Sequence, residues 1–433
     1  MNVVFLVLVG TAFVFAAWHQ WHWVPVPEEP SPMEALSSAM IASAGGAVEL
    51  AIGLVGVMTL FLGLIKVAEA GGMLSILSRL IRPVMVRLFP DVPADHPAMG
   101  AMILNMAANA LGLGNAATPF GIRAMQELEK LNPHPGTATN AMALFLAINT
   151  SSITLLPTGV IAIRAAAGSA DPAGILPTTL SATIGSTVVA LLAAKLYRHW
   201  APVAGDPPAA VDQGRAPAVT APGVEDAALT QTDAYPFWVS MVTLLGLFSL
   251  IPLAVTYGRV VSPWIIPGLM VAFLAFGAVR RVRVYEVLVD GAKEGFQVAL
   301  RIIPYLVAIL VAVGMLRASG AMDAIAGLLG PLTQRIGLPA EALPMALLRP
   351  LSGSGAYGVM AAIINDPAIG PDSYTGYLVS TLQGSTETTF YVLAVYFGAV
   401  QIRRIRHTLA AALTADVAGI ACAILACHFL LQL

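Results

Sequence analysis

The segment NMAANALGLGNAATP, residues 105–119, interrupts an apolar stretch with amides, glycines and a proline, and the hydroxyl-rich run NTSSIT follows at residues 149–154. The same order returns in the second half, where RPLSGSGAYG at 349–358 is followed by QGSTETT at 383–389. In lipid an unpaired backbone or hydroxyl group costs several kcal/mol, so such segments survive only where protein or a water-filled cavity satisfies them. Corresponding interruptions in two halves of a membrane protein point to a transport site.

The composition indicates a membrane protein. Hydrophobic residues make up 58% of the chain and charged residues 11%, whereas a soluble domain has roughly 25% charged residues. We therefore predict an all-α, polytopic membrane protein. The net charge of −2 offers no basic surface for nucleic acid. Cys422 and Cys427 match neither a disulfide framework nor a zinc site, so no cofactor or metal is expected.

Apolar runs of spanning length, about 20 residues each, predict nine transmembrane helices. They lie at 3–17, 41–66, 138–164, 176–198, 236–257, 263–280, 296–317, 376–400 and 407–431. The first run lacks the positive n-region and the cleavage site of a signal peptide, so we expect a retained helix. Gly, Pro and Asn interrupt the segments 97–121 and 342–365, which predicts two re-entrant broken helices.

The chain is expected to divide into two halves. Residues 201–234 are rich in Ala, Pro and Asp and contain no apolar run, which predicts a flexible cytoplasmic linker. Residues 1–40 are predicted to form an N-terminal transmembrane helix with an extracytoplasmic loop. A first repeat is expected over 41–200. The second half, 235–433, is expected to contain its own repeat over 288–433.

The basic residues predict opposite orientations for the two repeats. Clusters within 66–87, 280–283 and 403–406 fall where cytoplasmic loops are expected. If all of them are cytoplasmic and both broken segments are re-entrant, the first repeat starts outside and the second starts inside. The sequence therefore predicts two inverted-topology repeats.

Short matches between the halves agree with an internal repeat. AGGM at 70–73 corresponds to SGAM at 319–322. The amphipathic stretch 75–89 is expected to lie in the headgroup plane, with a less basic counterpart at 322–336. Small residues that merely permit close helix packing are the simpler alternative, but packing does not account for the Asn, Gln and Glu beside them.

Glu387 is the most pointed candidate residue, because a carboxylate at mid-membrane costs at least about 2.5 kcal/mol unless it is paired, hydrated or protonated. In one interpretation it binds a cation, a substrate hydroxyl or a coupling proton. In the other it is a structural acid bonded to Ser385, Thr388 or an arginine such as Arg349. Glu49 and Asp416 also lie in apolar runs, but nearer the segment ends, where they are expected to reach water.

The remaining polar side chains provide donors and acceptors without fixed charge, which suits a neutral polyhydroxylated or heterocyclic ligand held by amides and half-helix termini. No nucleophile elbow, phosphate loop or metal-ligand spacing is present, so no enzyme is expected. The predicted substrate-binding residues are Asn105, Asn109, Asn115, Thr118, Asn149, Ser151, Ser152, Ser352, Ser354, Gln383, Ser385, Thr386 and Glu387.

These motifs resemble a known family. The first half, through 105–119 and 149–152, resembles spore maturation protein A, and the second, through 350–357 and 383–389, resembles spore maturation protein B. Both are similar to the nucleoside-recognition Gate domain of concentrative nucleoside transporters and ferrous-iron transporters. The resemblance implies a bacterial inner-membrane protein related to solute transport, whose two partners are joined here by a linker. It does not imply sporulation.

Three functions remain open at this stage. The leading hypothesis is a permease that binds a small polar solute, with membrane lipid around it, Na⁺ or H⁺ as a coupling ion, and a homo-oligomer as a further expectation. The alternative is a non-transporting scaffold in which the polar breaks serve helix packing. A lipid-handling protein would require a hydrophilic groove open to the bilayer.

Overall fold

The computed structural model describes residues 2–25, 29–112, 117–151, 154–201 and 234–431, and the regular elements in these ranges are helices. The first half contains α1 (Asn2–His22), α2 (Pro32–Ala70), α3 (Met73–Leu88), α4 (Pro97–Ala110), α5 (Thr118–Lys130), α6 (Asn140–Ser151), α7 (Thr158–Ala166) and α8 (Leu176–Tyr197). The second half contains α9 (Phe237–Val279), α10 (Val284–Ala318), α11 (Ala321–Thr333), α12 (Leu343–Leu348), α13 (Gly353–Ile364), α14 (Tyr374–Ser385), α15 (Thr389–Ala399) and α16 (Thr408–Leu431). Two short 3₁₀ turns, Gln334–Ile336 and Ala340–Ala342, connect α11 to α12.

Both predicted broken segments are interrupted helices. The segment 97–121 divides into α4 and α5, and 342–365 divides into α12 and α13. At the first break Gly112 has φ +73°, and a Cβ there would collide with the carbonyl oxygen of Leu156. A glycine is therefore required for the chain to leave α4 and pass this close to another backbone.

Two predicted continuous spans are wrong, because they are broken as well. The run 138–164 divides into α6 and α7, and the run 376–400 divides into α14 and α15. Pro157 precedes α7 and lacks the N–H that a continuous helix needs. Thr386 is extended, at φ −135° and ψ 165°, where hydroxyl side chains compete with helical hydrogen bonds.

One predicted interruption is absent from the structure. The runs 236–257 and 263–280 were expected to be two spans, but they form the single helix α9. A helix satisfies its own backbone hydrogen bonds, so a short polar interval between two apolar runs does not by itself create a turn. The last predicted span is α16, which begins at Thr408 and leaves His407 in the preceding loop.

The two halves present the same sequence of elements. In each, a long helix ends at a glycine turn, an amphipathic helix follows, then two broken helices and a final long helix. The turns contain Gly72 at φ +86° and Gly320 at φ +75°. They bend the chain by 70° between α2 and α3 and by 80° between α10 and α11. The short motif matches at 70–73 and 319–322 therefore mark equivalent turns.

The halves are interlocked. Glycines let α2 and α10 approach closely, since a Cβ at Gly295 would lie 2.7 Å from the Thr59 Cα. One hydrophobic core contains Ile161 of the first half and Met360 of the second, and another contains Phe145 and Phe397. Each core therefore draws on both halves.

The helices are suited to a membrane by length and composition. Within the described ranges, α8 and α16 are each long and apolar enough to cross a bilayer. The bent pairs α2–α3 and α10–α11 raise this to as many as four spans if each pair counts as one. The chain is thus an α-helical membrane protein.

Candidate functional site: a junction of broken helices

The described parts of the four helix breaks meet at one place, which we call the central junction. It is defined by residues 111–112 and 117 between α4 and α5, 154–157 between α6 and α7, 349–352 between α12 and α13, and 386–388 between α14 and α15. The backbone N–H of Glu387 donates to the Thr150 carbonyl at 2.8 Å, which joins the hydroxyl-rich runs of the two halves. Within the first half, the Leu155 N–H donates to the Ala110 carbonyl at 3.0 Å. Within the second, the Phe390 N–H donates to the Pro350 carbonyl at 3.1 Å. These three hydrogen bonds therefore satisfy backbone groups of one break with those of another, as burial requires.

The predicted asparagines of the first half hold helices together. Asn105 on α4 is fully buried, and its Nδ2 donates to the Ala117 carbonyl at 2.9 Å and to the Tyr396 hydroxyl of α15 at 3.2 Å. Asn109 donates to the Asn149 Oδ1 at 3.0 Å, which ties α4 to α6. All three of these amides thus take part in hydrogen bonds between separate helices.

The hydroxyls beside them fix α6 against α8. Ser151 is fully buried, and its Oγ contacts the Thr187 Oγ1 at 3.0 Å, while the Thr183 hydroxyl donates to the Ser151 carbonyl at 3.0 Å. Thr118 is the first residue of α5 and is half-buried. Asn115 and Ser152 lie outside the residues that the structure describes.

In the second half, the predicted residues lie at helix ends. Ser352 caps α13 by accepting from the Gly355 N–H at 3.0 Å, and Ser354 is in the first turn of the same helix. Ser385 and Thr386 are buried at the end of α14. Gln383 is 3% exposed near the end of α14. These residues border the central junction, and their role in binding stays a prediction.

Glu387 lies at the open edge of the central junction. Its side chain is 44% exposed, and its Oε2 lies 3.9 Å from the Nη2 of Arg349. Arg349 is 5% exposed and donates from Nη1 to the Thr388 hydroxyl at 3.2 Å. The structural interpretation of Glu387 predicted such a pairing with Arg349. At this distance the pair is loose and leaves carboxylate oxygens free to accept other hydrogen bonds.

Asp416 does not reach water as expected. It is 4% exposed on α16, and its Oδ2 accepts a 2.7 Å hydrogen bond from the Thr389 hydroxyl at the start of α15. Glu49, in contrast, is exposed on α2. The position of Asp416 in the sequence could have indicated its burial. It lies about two turns inside the last apolar run, too far from the end for a short side chain to reach water.

A second arginine, which the sequence did not single out, joins the halves away from the central junction. Arg164 of α7 is fully buried and forms an ion pair with Asp372 at 3.0 Å. It also donates to the Pro371 carbonyl at 2.6 Å and to the Asp171 carbonyl at 3.1 Å, and its guanidinium lies 4.2 Å from the centre of the Tyr377 ring. We call these contacts the Arg164 seam.

An equivalent contact, the Arg406 seam, joins residues 136–140 to residues 403–406. Arg406 donates to the Ala138 carbonyl at 3.0 Å and to the Asn140 Oδ1 at 3.1 Å. The chain runs from this seam along α6 to the central junction and then along α7 to the Arg164 seam. In the second half, α14 runs from the Arg164 seam to the central junction, and α15 continues from there to the Arg406 seam. The two seams therefore lie at opposite ends of the broken pairs.

Two cavities are lined by residues outside the predicted site. One of about 300 Å³ lies beside the Arg406 seam and is bordered by Asp91, His134 and Arg406. The other, of about 260 Å³, is bordered by Arg317, Asp323, Glu341 and Asp366. Within the described part of the chain, no group of three or more His, Cys, Asp or Glu side chains could hold a metal ion.

The geometry defines a helical membrane protein of two interlocked halves whose broken helices meet in a polar junction. The sequence model of the family described as "Gate: Nucleoside recognition" matches residues 51–167 and 299–403, just over half of the chain. The chain belongs to this family.

Comparison with individual proteins agrees with a fusion of two relatives. The chain is 44% identical over 167 residues to spore maturation protein A of Bacillus subtilis (strain 168), covering 39% of this chain and 85% of the relative. It is 47% identical over 160 residues to spore maturation protein B of the same organism, covering 37% of this chain and 89% of the relative. It is also 31% identical over 103 residues to the inner membrane protein YjiG of Escherichia coli (strain K12), covering 24% of this chain and 64% of the relative. No solved structure matches the chain significantly.

Proposed function

We propose that this protein is a multi-pass permease of the bacterial inner membrane, which binds a small polar, nucleoside-like solute at the central junction between two inverted repeats. The observation that carries the proposal is the hydrogen bond from the Glu387 N–H to the Thr150 carbonyl. It brings the discontinuous helices of both halves to one place, the arrangement by which transporters build binding sites.

Buried polar atoms around the central junction support a ligand there. Among the described residues, the Asn105 Oδ1, the Gln383 Oε1 and the Arg349 Nε are buried and have no hydrogen-bond partner. An unsatisfied buried polar group is costly, so each one requires an explanation. These two acceptors and one donor, on or next to helices that border the central junction, match the hydroxyl and ring groups of a nucleoside.

The repeated order of elements supports the inverted arrangement. Each half has the same series of long, amphipathic and broken helices, and basic clusters lie near 66–87, 280–283 and 403–406. Cytoplasmic placement of all three clusters gives the halves opposite orientations. The similarity to an inner membrane protein supports the same compartment. We assign solute binding and passage to the chain and no catalytic step.

A non-transporting scaffold is the second candidate. The contacts between Asn109 and Asn149 and between Ser151 and Thr187 satisfy side chains that would otherwise be free to bind a solute. In this alternative, the contacts at the central junction serve only to hold the helices and the two halves together.

Counterflow in proteoliposomes distinguishes the two candidates. Wild-type protein is expected to exchange radiolabelled uridine or another nucleoside, and Glu387→Gln and Gln383→Ala are each expected to lower the rate by about tenfold, equivalent to about 1.4 kcal/mol. Asp290→Asn is the matched control, because Asp290 is an exposed acid of α10 paired with Lys293 at 2.8 Å. Absence of exchange by wild-type protein across a nucleoside panel would favour the scaffold. Exchange at the wild-type rate by both site variants would remove the assigned site.

A further inference from the structure

Asp416 is a buried acid placed directly behind the break between α14 and α15. Its Oδ2 accepts from Thr389 at 2.7 Å, whereas its Oδ1 is buried without a partner among the described residues. Three residues later, Gly419 lies against the break itself, since a Cβ there would be 2.6 Å from the Thr386 Cγ2. The face of α16 that carries Asp416 therefore contacts the break.

The charges in this region do not balance. Arg349 is the one positive side chain at the α14–α15 break among the described residues, whereas two acids, Glu387 and Asp416, border this break. Its Nη2 lies 3.9 Å from the Glu387 carboxylate, and its Nη1 is bonded to Thr388. A carboxylate buried in a low-dielectric interior without its own counter-charge costs several kcal/mol. Because Arg349 is paired with Glu387, the buried Asp416 lacks a positive counter-charge of its own among these residues.

The surrounding helices do not provide that charge within the described part of the chain. On α8, Tyr197 hydrogen-bonds Thr414 at 3.1 Å and is neutral, while Lys195 is exposed. The sequence of α6 contains no titratable side chain. On α15, the buried Tyr396 accepts from Asn105. The missing charge must therefore come from solution.

We propose that Asp416 binds one proton and that this proton is the coupling ion of the transport proposed above, on which the inference rests. The proton binds Oδ1, which converts the carboxylate to a neutral acid and leaves Arg349 and Glu387 as a balanced pair. A metal cation would need several oxygen ligands around it, whereas a proton needs only the carboxylate. Release of the proton restores a negative charge beside the first turn of α15, where helix N–H groups favour an anion.

This arrangement links the charge of Asp416 to the position of α15. The ionised carboxylate accepts a charge-assisted hydrogen bond from Thr389, and the neutral acid accepts a weaker one. Thr389 is the first residue of α15. Proton binding therefore loosens the contact between α16 and the half-helix that borders the central junction, which gives the break two states.

Infrared difference spectroscopy of the purified full chain tests the inference without any solute. As the pH is lowered, the wild-type protein is expected to gain a carboxylic-acid C=O band that is absent from Asp416→Asn, shifted in Asp416→Glu and kept in Glu387→Gln. The unfolding temperature of each variant verifies folding, and Asp416→Glu serves as the reporting variant if Asp416→Asn does not fold. Retention of the band unchanged in folded Asp416→Asn, or an unshifted band in Asp416→Glu, would overturn the proposal.

A second arm separates a proton from a metal cation, and the two proposals can fail separately. If replacing K⁺ by Na⁺ at constant pH abolishes the band, the carboxylate binds Na⁺ and the proton assignment is wrong. If the band behaves as expected but wild-type protein shows no counterflow, the permease proposal fails while proton binding by Asp416 stands. If counterflow occurs and the band does not depend on Asp416, the coupling inference alone fails.

Discussion

Arg164 shows at the scale of one residue how the halves of this protein are held together. Its guanidinium is fully buried and bonds to Ser169 of the first half and to Pro371 and Asp372 of the second. A guanidinium presents five N–H donors in a rigid planar fork, which can serve more acceptors in fixed directions than the three donors of an ammonium group. Arg164 therefore stabilises the contact between the two halves at the Arg164 seam, away from the predicted solute site.

We expect Arg164→Gln to destabilise the folded protein by on the order of 3 kcal/mol, since removal of one partner leaves buried acceptors unsatisfied. Arg164→Lys keeps the charge without the fork and is expected to lose a smaller part of this stability. Unfolding midpoints in detergent measure both. Equal midpoints for wild type and Arg164→Gln would contradict this role.

His407 gives a prediction about pH. It is 5% exposed in the loop before α16, and burial, followed by the neighbouring charge of Arg406, lowers its pKa from 6.5 to about 4. Between these two values the unfolded chain binds a proton that the folded chain does not bind, so stability decreases as the pH falls from 6.5 towards 4.

His407→Gln is expected to flatten this part of the stability profile, because glutamine does not titrate. The measurement is the unfolding midpoint at a series of pH values across the window. His199→Gln, at an exposed position after α8, is the control and should keep the wild-type slope. An unchanged slope in His407→Gln would disprove the assignment.

At the scale of elements, the glycine breaks were predictable and the break at Thr386 was not. Gly, Pro and Asn within 97–121 and 342–365 have backbone consequences that can be read locally. The break between α6 and α7 did have a local signal, Pro157, shortly after its hydroxyl-rich run. Ser and Thr are tolerated inside apolar helices, so the interruption at Thr386 depends on the partner backbone that satisfies it, which a single segment does not reveal. The same limitation applies to Asp416, whose partner Thr389 lies on another helix.

For the site residues too, some features could be predicted from local sequence and others depended on distant partners. The motifs identified segments that contact one another in the structure, because polar groups in apolar segments must find partners. They did not indicate which polar atoms would be used in internal bonds, such as Asn109 with Asn149. They also gave no sign of Arg164, since an arginine near a segment end is usually an interfacial anchor.

Gly112→Ala tests the geometry of the first break. The substitution combines the cost of a left-handed backbone, about 1–2 kcal/mol, with a collision against the Leu156 carbonyl. Gly168→Ala is the matched control, because Gly168 has φ +76° but no atom within 4 Å of an added Cβ. We expect the unfolding midpoint to fall further for Gly112→Ala than for Gly168→Ala, and an equal loss would contradict the close approach.

At the scale of the whole molecule, the two large cores of the described residues are shared between the halves. Both large cores combine residues of the two halves, as with Ile161 and Met360 in one and Phe145 and Phe397 in the other. The similarity to two proteins, spore maturation proteins A and B, agrees with halves that fit together as partners. The predicted linker, 201–234, lies almost entirely outside the residues that the structure describes. A covalent connection between the halves raises the effective concentration of one near the other.

Co-expression of residues 1–210 and 225–433 as two chains is expected to give a stable complex, because the shared cores do not depend on the linker. An affinity tag on one chain should recover the other in a one-to-one ratio. Purification of either half alone as a monodisperse protein, without its partner, would contradict the shared cores.

The central claim is that the breaks of the two halves meet, and cysteine cross-linking in this two-chain form tests it most directly. Thr150 and Glu387 share a backbone hydrogen bond of 2.8 Å, so their α-carbons lie within the reach of a disulfide or a short bifunctional reagent. With Cys422 and Cys427 replaced by alanine, Thr150→Cys and Glu387→Cys are expected to join the two chains covalently in native membranes. Thr150→Cys with Thr375→Cys should not, since α14 separates Thr375 from its own break by about 15 Å. Efficient cross-linking of the first pair alone is the predicted result, and its failure while the complex remains assembled would contradict the account.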